Sequence, residues 1–417
     1  MIENEKKIII DGSIFNSKKP LIIAELGTSH SGDIVKAKEM IASSGEAGAA
    51  CVKVQMVFAD EILHPNTGVV PLPGGKIRLY DQFKKLETPP EFYEEIKEYA
   101  ESKGLFFLCT PFGLKSAAIL KKLQPKMVKI ASPELNFTGL LEEIVCWNMP
   151  VLLSSGVSRL SDIENALEIL NNKNFTTNSY LRYEHEPIRT KTNTDLKVRA
   201  HAEGAYQRHE NSCDSRLNKK EICLLHCVTS YPAPETDYNL KVIPNLAAIF
   251  GVCAGVSDHS ADPQLVPALA VSMGAAAIEK HFCLSRKDPG LDDPIALEPA
   301  AFAQMVKAVN DAAENSPQET IDYYSRERGE DLVNRILGSG VKELAPSEKA
   351  NYKRTNRSIH ALRDIKKGEM LKKDDYAVLR TEKILRPGLE PCWEKAIEGR
   401  TAQNDIPSGE GIRFEDV

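Results

Sequence analysis

Eight short apolar runs, spread over the first two thirds of the chain, constrain its fold more than any other feature. They lie at 21–24, 50–52, 105–108, 127–128, 150–153, 222–225, 254–256 and 275–278. Polar residues follow each of them: Glu25; Lys53 and Gln55; Thr110; Lys129 with Ser132 and Glu134; Ser154; His226; Ser257 with His259; and Glu279 to His281. Amphipathic stretches lie between the runs. In 33–47, Ile34, Ala37, Met40 and Ile41 recur at helical spacing, and 90–102 opens on Pro90. At 161–170, Ser161 precedes Glu164 by three residues, the pattern of a capping box. The stretches 263–273 and 299–313 complete the set. Strands alternating with helices predict a parallel sheet of the α/β class. Eight such units, each delivering polar side chains at the C-terminal end of its strand, predict a (β/α)8 TIM barrel over 1–315. Polar residues with only structural roles would scatter to both ends of the strands.

The chain's 417 residues exceed one ordinary barrel and leave room for a smaller unit. A net charge of −6 argues against general nucleic-acid affinity. No apolar run approaches the ~20 residues of a membrane span. The start, MIENEKKIII, lacks the apolar core of a secretory signal. The nine cysteines include no CxxC pair, and several fall in or beside the runs. That usage fits small core residues in a reduced, cytoplasmic protein. Cys223 and Cys227 share one strand with no second pair to complete a zinc site, so they also read as core.

A polar insertion at about 172–220 is far longer than a normal loop between a helix and the next strand. It lies at the bottom of the expected barrel, which favours a mobile excursion or an interface arm over a lid. A charged helical connector is expected at 316–350. Beyond it, 351–417 carries short strands at 358–362 and 376–379 and turns at Lys367-Gly368, Arg386-Pro387-Gly388 and Pro407-Ser408-Gly409. A module of about 65 residues has little core of its own and is expected to pack on the barrel or on a partner subunit.

The strand ends suggest chemistry. Lys53 and Lys129, with the hydroxyls of Thr110, Ser132 and Ser154, suit a small phosphate- and carboxylate-bearing anion. A barrel lysine also suits a Schiff base, but two lysines among hydroxyls favour anion binding. His259 and His281 end adjacent strands and suit one labile divalent ion such as Mn²⁺ or Mg²⁺ better than a closed zinc site. Hydrogen-bonded core histidines are the other reading of the pair, and His226 is a candidate third ligand or supporting donor. Glu25 and Glu134 are acid/base candidates, or else ion-pair partners of the lysines. Asp292, on the loop after the eighth run, is a candidate for holding a substrate hydroxyl.

Several motifs are more specific. Ile23-Ala24-Glu25-Leu26-Gly27 with His30 and Gly32, Val52-Lys53-Val54-Gln55, Lys129-Ile130-Ala131-Ser132-Pro133-Glu134, Leu153-Ser154-Ser155-Gly156, Leu225-His226-Cys227 through Tyr231-Pro232, Ser257-Asp258-His259 and Glu279-Lys280-His281-Phe282 occur in this order. Together they resemble the sialic acid synthase family, which makes N-acetylneuraminate, legionaminate and pseudaminate. The segment from Arg357-Ser358-Ile359 through Leu385-Arg386-Pro387-Gly388 is similar to that family's small β-rich antifreeze-like (SAF, β-clip) domain. The resemblance implies a metal-dependent condensation of phosphoenolpyruvate (PEP) with an N-acetylmannosamine-type sugar. The product is a nine-carbon 2-keto acid plus phosphate, formed with C–O cleavage of PEP. Legionaminate- or pseudaminate-type acceptors are the alternatives.

The resemblance also implies roles for residues. Lys53, Thr110, Lys129, Ser132, Ser154 and Ser257 would bind PEP. His259 and His281 would hold Mn²⁺ or Mg²⁺. Gln55, Glu134, Tyr231 and Asp292 would contact the sugar, and Glu25, Glu134, Lys53 and Gln55 form the catalytic set. Arg386 would reach from one subunit of a domain-swapped homodimer into the other's site and bind the N-acyl group. The chain departs from the family pattern at Ser31, Thr229 and Leu291-Asp292-Asp293, all beside the expected sugar pocket. A phosphorylated-sugar synthase would need a further basic cluster. A non-catalytic barrel would have lost the lysines and histidines that are present here.

Overall fold

The apolar runs become the strands of one parallel sheet, because each is rich in residues that pack on both faces. They are β1 Leu21–Gly27, β2 Cys51–Met56, β3 Phe106–Pro111, β4 Val128–Ile130, β5 Val151–Ser154, β6 Ile222–Cys227, β7 Cys253–Asp258 and β8 Ala277–His281. The ladder runs β3-β2-β1-β8-β7-β6-β5-β4, and β3 lies beside β4 without a ladder, so the barrel is nearly closed. This is the expected (β/α)8 architecture. The computed structural model describes residues 6–72, 75–171, 221–382 and 384–417. The 172–220 insertion lies outside the described residues.

Side chains alternate along each strand, and that alternation builds the interior. Leu21, Ile23, Cys51, Leu108, Met127, Leu152, Cys223, Leu225, Cys253 and Ala277 point inward and form one buried cluster. An N-terminal hairpin, Ile8–Ile10 paired with Ser13–Phe15, plugs the bottom with Ile8, Ile10 and Phe15. Above these apolar residues, the next positions of the same parity reach the mouth. They include Glu25, Lys53, Lys129, Ser154, Cys227 and Glu279.

Among the described residues, an outer-layer helix follows each strand of the barrel. These helices are α1 Ile34–Glu46, α2 Pro90–Ser102, α3 Leu114–Lys122, α4 Thr138–Val145, α5 Leu160–Asn171, α6 Val242–Phe250, α7 Leu265–Ser272 and α8 Pro299–Glu314. Asp33 caps α1 by accepting from the N–H groups of Val35 and Lys36. The capping box expected at Ser161 does not form. α5 begins at Leu160, one residue early, and Asp162 accepts from the Arg159 N–H at 2.8 Å in its place. Cys51, Cys109, Cys223, Cys227, Cys253 and Cys283 are free thiols, and among the described residues none of the helices is long and apolar enough to cross a membrane.

The connector is helical only in part: α9 Pro317–Arg328 and α10 Glu330–Leu337 are followed by Gly338 and Gly340 at positive φ, which end the helix. The chain then runs over the mouth of its own barrel. Glu348 is buried, and its carboxylate accepts from the N–H groups of Val157 (3.0 Å) and Thr229 (2.9 Å). Asn356 donates to the Val157 carbonyl at 3.2 Å. The small C-terminal unit follows, built on the antiparallel pair β9 Arg357–Ala361 and β10 Tyr376–Arg380. It sits on the barrel of the same chain, as its small core requires.

Candidate active site

Inward parity places the ends of all eight strands around one floor. Glu25 is paired in register with Lys53 and with His281, and Ser257 with Glu279. The Glu279 Oε1 atom organises the floor. It lies 2.9 Å from Lys53 Nζ, accepts from Ser257 Oγ at 2.8 Å, and is 3.8 Å from Lys129 Nζ. Lys129 Nζ donates to Ser154 Oγ at 2.7 Å. Lys53 Nζ also lies 3.2 Å from Glu25, which accepts from Gln55 Nε2 at 2.6 Å. Ser132 Oγ accepts from the Gly156 N–H at 3.0 Å. Gly156 must be glycine: a Cβ there would stand 2.2 Å from Thr229 Oγ1. Thr110 Oγ1 and Glu279 Oε2 are buried with no hydrogen-bond partner among the described residues, as in groups shaped for something bound.

Burial sets the electrostatics. It pushes the Glu25 carboxyl up to about 7, beyond what neighbouring Lys53 can offset. Burial also works against the charge on Lys53, but Glu25 and Glu279 overcome it and hold its ammonium above the ordinary range. Lys129 has weaker carboxylate support, so burial lowers it to about 8. For Glu279 burial opposes ionisation, yet Lys129 and Lys53 bring it down to about 2. Asp292 is raised to about 6, chiefly by burial.

His259 and His281 stand above this floor with ring centroids 5.5 Å apart. Tyr231 lies over His259 at 4.3 Å. His259 Nδ1 is 2.9 Å from the Val228 carbonyl, which engages that nitrogen as a donor and leaves Nε2 for a metal. Burial and the neighbouring His259 keep His281 well below the ordinary imidazole range, so it is a neutral ligand-type ring. For His259 burial acts the same way, but Cys227 raises it to about 9, so metal binding there would release a proton. Two imidazoles without a third clustered protein ligand, among the described residues, fit a labile ion that keeps open positions. Asp292 Oδ2 lies 3.9 Å from His281 Nδ1.

His226 does not join them. Its parity is opposite to that of Leu225 and Cys227, so it faces the helix layer, where its Nε2 lies 2.5 Å from the Tyr238 carbonyl. Lys280 and Asp258 face outward too, as a buried pair at 2.6 Å behind the two histidine-bearing strands.

Glu134 is held by arginines, not by the lysines. Its Oε1 accepts from Arg357 Nε (3.0 Å) and from Arg380 Nε (3.1 Å) and Nη2 (2.7 Å), both from the C-terminal unit. Its Oε2 is buried without a partner among the described residues. Arg386 is not at the mouth of this chain. Its guanidinium donates to Asp416 at 2.7 Å and to the Gly411 carbonyl at 3.1 Å, inside its own domain. The sequence reading gave no role to Glu279, Arg357 or Arg380. For Glu279 the signal was present, because it lies two residues before His281 and so shares its face. For the two arginines no local signal exists, because their partner is more than 220 residues away.

Residues 40–320 match the NeuB family, and residues 356–417 match the SAF domain. An uncharacterized protein of Methanocaldococcus jannaschii is 32% identical over 413 residues, covering 99% of each chain. The N,N'-diacetyllegionaminic acid synthase of Campylobacter jejuni is 28% identical over 400 residues, covering 95% of this chain and 99% of that one. The crystal structure of the spore coat polysaccharide biosynthesis protein SpsE of Bacillus subtilis superposes with a TM-score of 0.71 at 28% identity, covering 99% of each chain.

Proposed function

We propose that this chain, which belongs to the NeuB family, condenses PEP with the open-chain aldehyde of an N-acylated mannosamine-type sugar and releases phosphate. The observation that carries this reading is one barrel mouth with two buried lysines and four hydroxyls below a pair of histidines. The chain is a synthase-type transferase. The NeuB match and relatives named for legionaminic and pseudaminic acid synthesis support an acceptor of the amino-sugar class.

Lys53 and Lys129 would hold the phosphate and carboxylate of PEP, with Thr110, Ser132, Ser154 and Ser257 as hydroxyl donors. His259 and His281 would hold a divalent ion of the Mn²⁺ or Mg²⁺ type, which supplies Lewis-acid polarisation of the aldehyde when bound. C3 of PEP attacks the aldehyde carbon, whose oxygen takes up a proton and becomes a hydroxyl. Water adds at C2, and the resulting tetrahedral carbon collapses to the ketone as its bond to the phosphate oxygen breaks and the C2 hydroxyl proton leaves with the phosphate. Glu25 takes the proton from that water. It titrates near neutral pH and stands over the lysine floor, whereas Glu134 is occupied by two guanidiniums. Gln55 bonds Glu25, Tyr231 lies over His259 and Asp292 lies 3.9 Å from His281, so these three would contact the sugar.

Glu134 Oε2 would accept a sugar hydroxyl, and Arg380 would contact the N-acyl group. Arg380 thus takes the role first assigned to Arg386. A domain-swapped homodimer would form the same contacts between two copies. Arg380→Met should raise the sugar KM about tenfold or more with little change in the PEP KM, the loss of a charge-assisted contact. Arg386→Met should leave both within about twofold. Steady-state kinetics on both variants check this, and the reverse ranking would return the role to Arg386.

As a base, Glu25 must be ionised, so kcat should rise with pH through about 7 and level off above it. Glu25→Gln should remove that limb and lower kcat on the order of 10²–10⁴-fold. A limb falling with pH would make Glu25 an acid instead. The reaction itself is tested by phosphate release from PEP with Mn²⁺ and N-acetylmannosamine, with each diacetamido-trideoxyhexose, and without sugar. Release that depends on one sugar is the expected result. No release with any of them overturns the assignment.

A further inference from the structure

Arg357 begins the first strand of the C-terminal unit and is 1% exposed. Its guanidinium touches three successive loops of the barrel mouth. It donates to the Glu61 carbonyl after β2, to the Phe112 carbonyl after β3, and to Glu134 after β4. Its Nη1 also donates to Val378 of its own sheet at 3.2 Å, and its plane lies 5.4 Å from the Phe137 ring centroid. Its backbone is tied as firmly. Asn136 accepts from the Arg357 N–H at 3.1 Å and donates to its carbonyl at 2.9 Å. Breaking such a group leaves buried acceptors unpaired, so its position is strongly held.

We propose that Arg357 is a positioning residue, which aims Glu134 at the sugar and locks the C-terminal unit over the mouth through the same fork. Its planar fork engages Glu134 Oε1 and the carbonyls of two neighbouring loops at once, while Glu134 Oε2 keeps no hydrogen-bond partner among the described residues, an arrangement a lysine cannot copy. Acceptor binding and domain docking then share one carboxylate. The kinetic consequence rests on the reading of the reaction given above, and the docking consequence does not.

The test uses the full chain as wild type, Arg357→Lys, Arg357→Met, Glu134→Gln and the Arg357→Met/Glu134→Gln double variant. Hydrogen exchange should quicken at 59–64, 110–113 and 350–361 in every variant, and the double should be no worse than either single. The sugar KM should rise about tenfold in Arg357→Met, with the PEP KM within about twofold and no further rise in the double. Additive effects, equal rises in both KM values, or a wild-type-like Arg357→Lys would overturn the proposal. Quickened exchange with no turnover of any sugar, even in the wild type, would sink the reaction assignment and leave the latch standing.

Discussion

Lys53→Met should abolish turnover, lowering kcat/KM for PEP by at least about 10³-fold, the loss expected when a desolvated charge leaves the proposed anion site. Lys53 is nearly inaccessible and stands between two carboxylates, at 3.2 Å from Glu25 and 2.9 Å from Glu279. Without its charge, the floor becomes one lysine facing two acids, which repels a phosphate- and carboxylate-bearing substrate. Removing one partner of a buried pair commonly costs about 3–5 kcal/mol of stability. Here the cost is tempered, because Glu25 already titrates near 7 and can become neutral. The folded variant should therefore be recoverable, and phosphate release with a parallel thermal melt separates catalysis from stability. A fall of less than about tenfold in a folded protein would remove Lys53 from the anion site.

As the proposed metal ligands, His259 and His281 changed singly to Ala should each lower Mn²⁺ affinity by more than about 100-fold, because losing a ligand costs more than losing the partner that orients one. Free-Mn²⁺ titration by electron paramagnetic resonance reads this without any turnover. Chelation of the wild type should abolish activity, and Mn²⁺ should restore it. The geometry favours a shared ion over two core histidines. The rings are 5.5 Å apart, one has its Nδ1 engaged by a carbonyl, and the other is held neutral by burial. Full activity after exhaustive chelation would sink the metal assignment. Unchanged affinity in His281→Ala alone would move the second ligand to Asp292, whose Oδ2 lies nearby.

Much of the barrel was legible because its signals are local. Each strand is an apolar run, each helix a periodic stretch, and polar residues cluster at one end of every strand. Side-chain parity was legible too, but the reading of the strand ends did not use it. Applied there, it separates His226 from Cys227 and pairs Glu279 with His281. The start of α5 was misjudged by one residue, because Asp162 offered its carboxylate to the Arg159 N–H and Ser161 fell inside the helix.

The C-terminal unit was legible as a module, but not its contacts. Arg386, beside a Pro-Gly turn, is drawn into its own domain by Asp416, while Arg357 and Arg380 reach the barrel. The sequence alone determined the barrel, its order of strands and the inventory of lysines, hydroxyls and histidines at its mouth. Side-chain alternation and apolar burial act within a few residues, so a one-dimensional pattern suffices for them. Only the tertiary structure decided that Glu279 ties the floor together, that burial and not a neighbouring charge sets Glu25, and which arginines hold Glu134. Those outcomes depend on desolvation and on guanidinium geometry between segments far apart in the chain, and no local pattern encodes either.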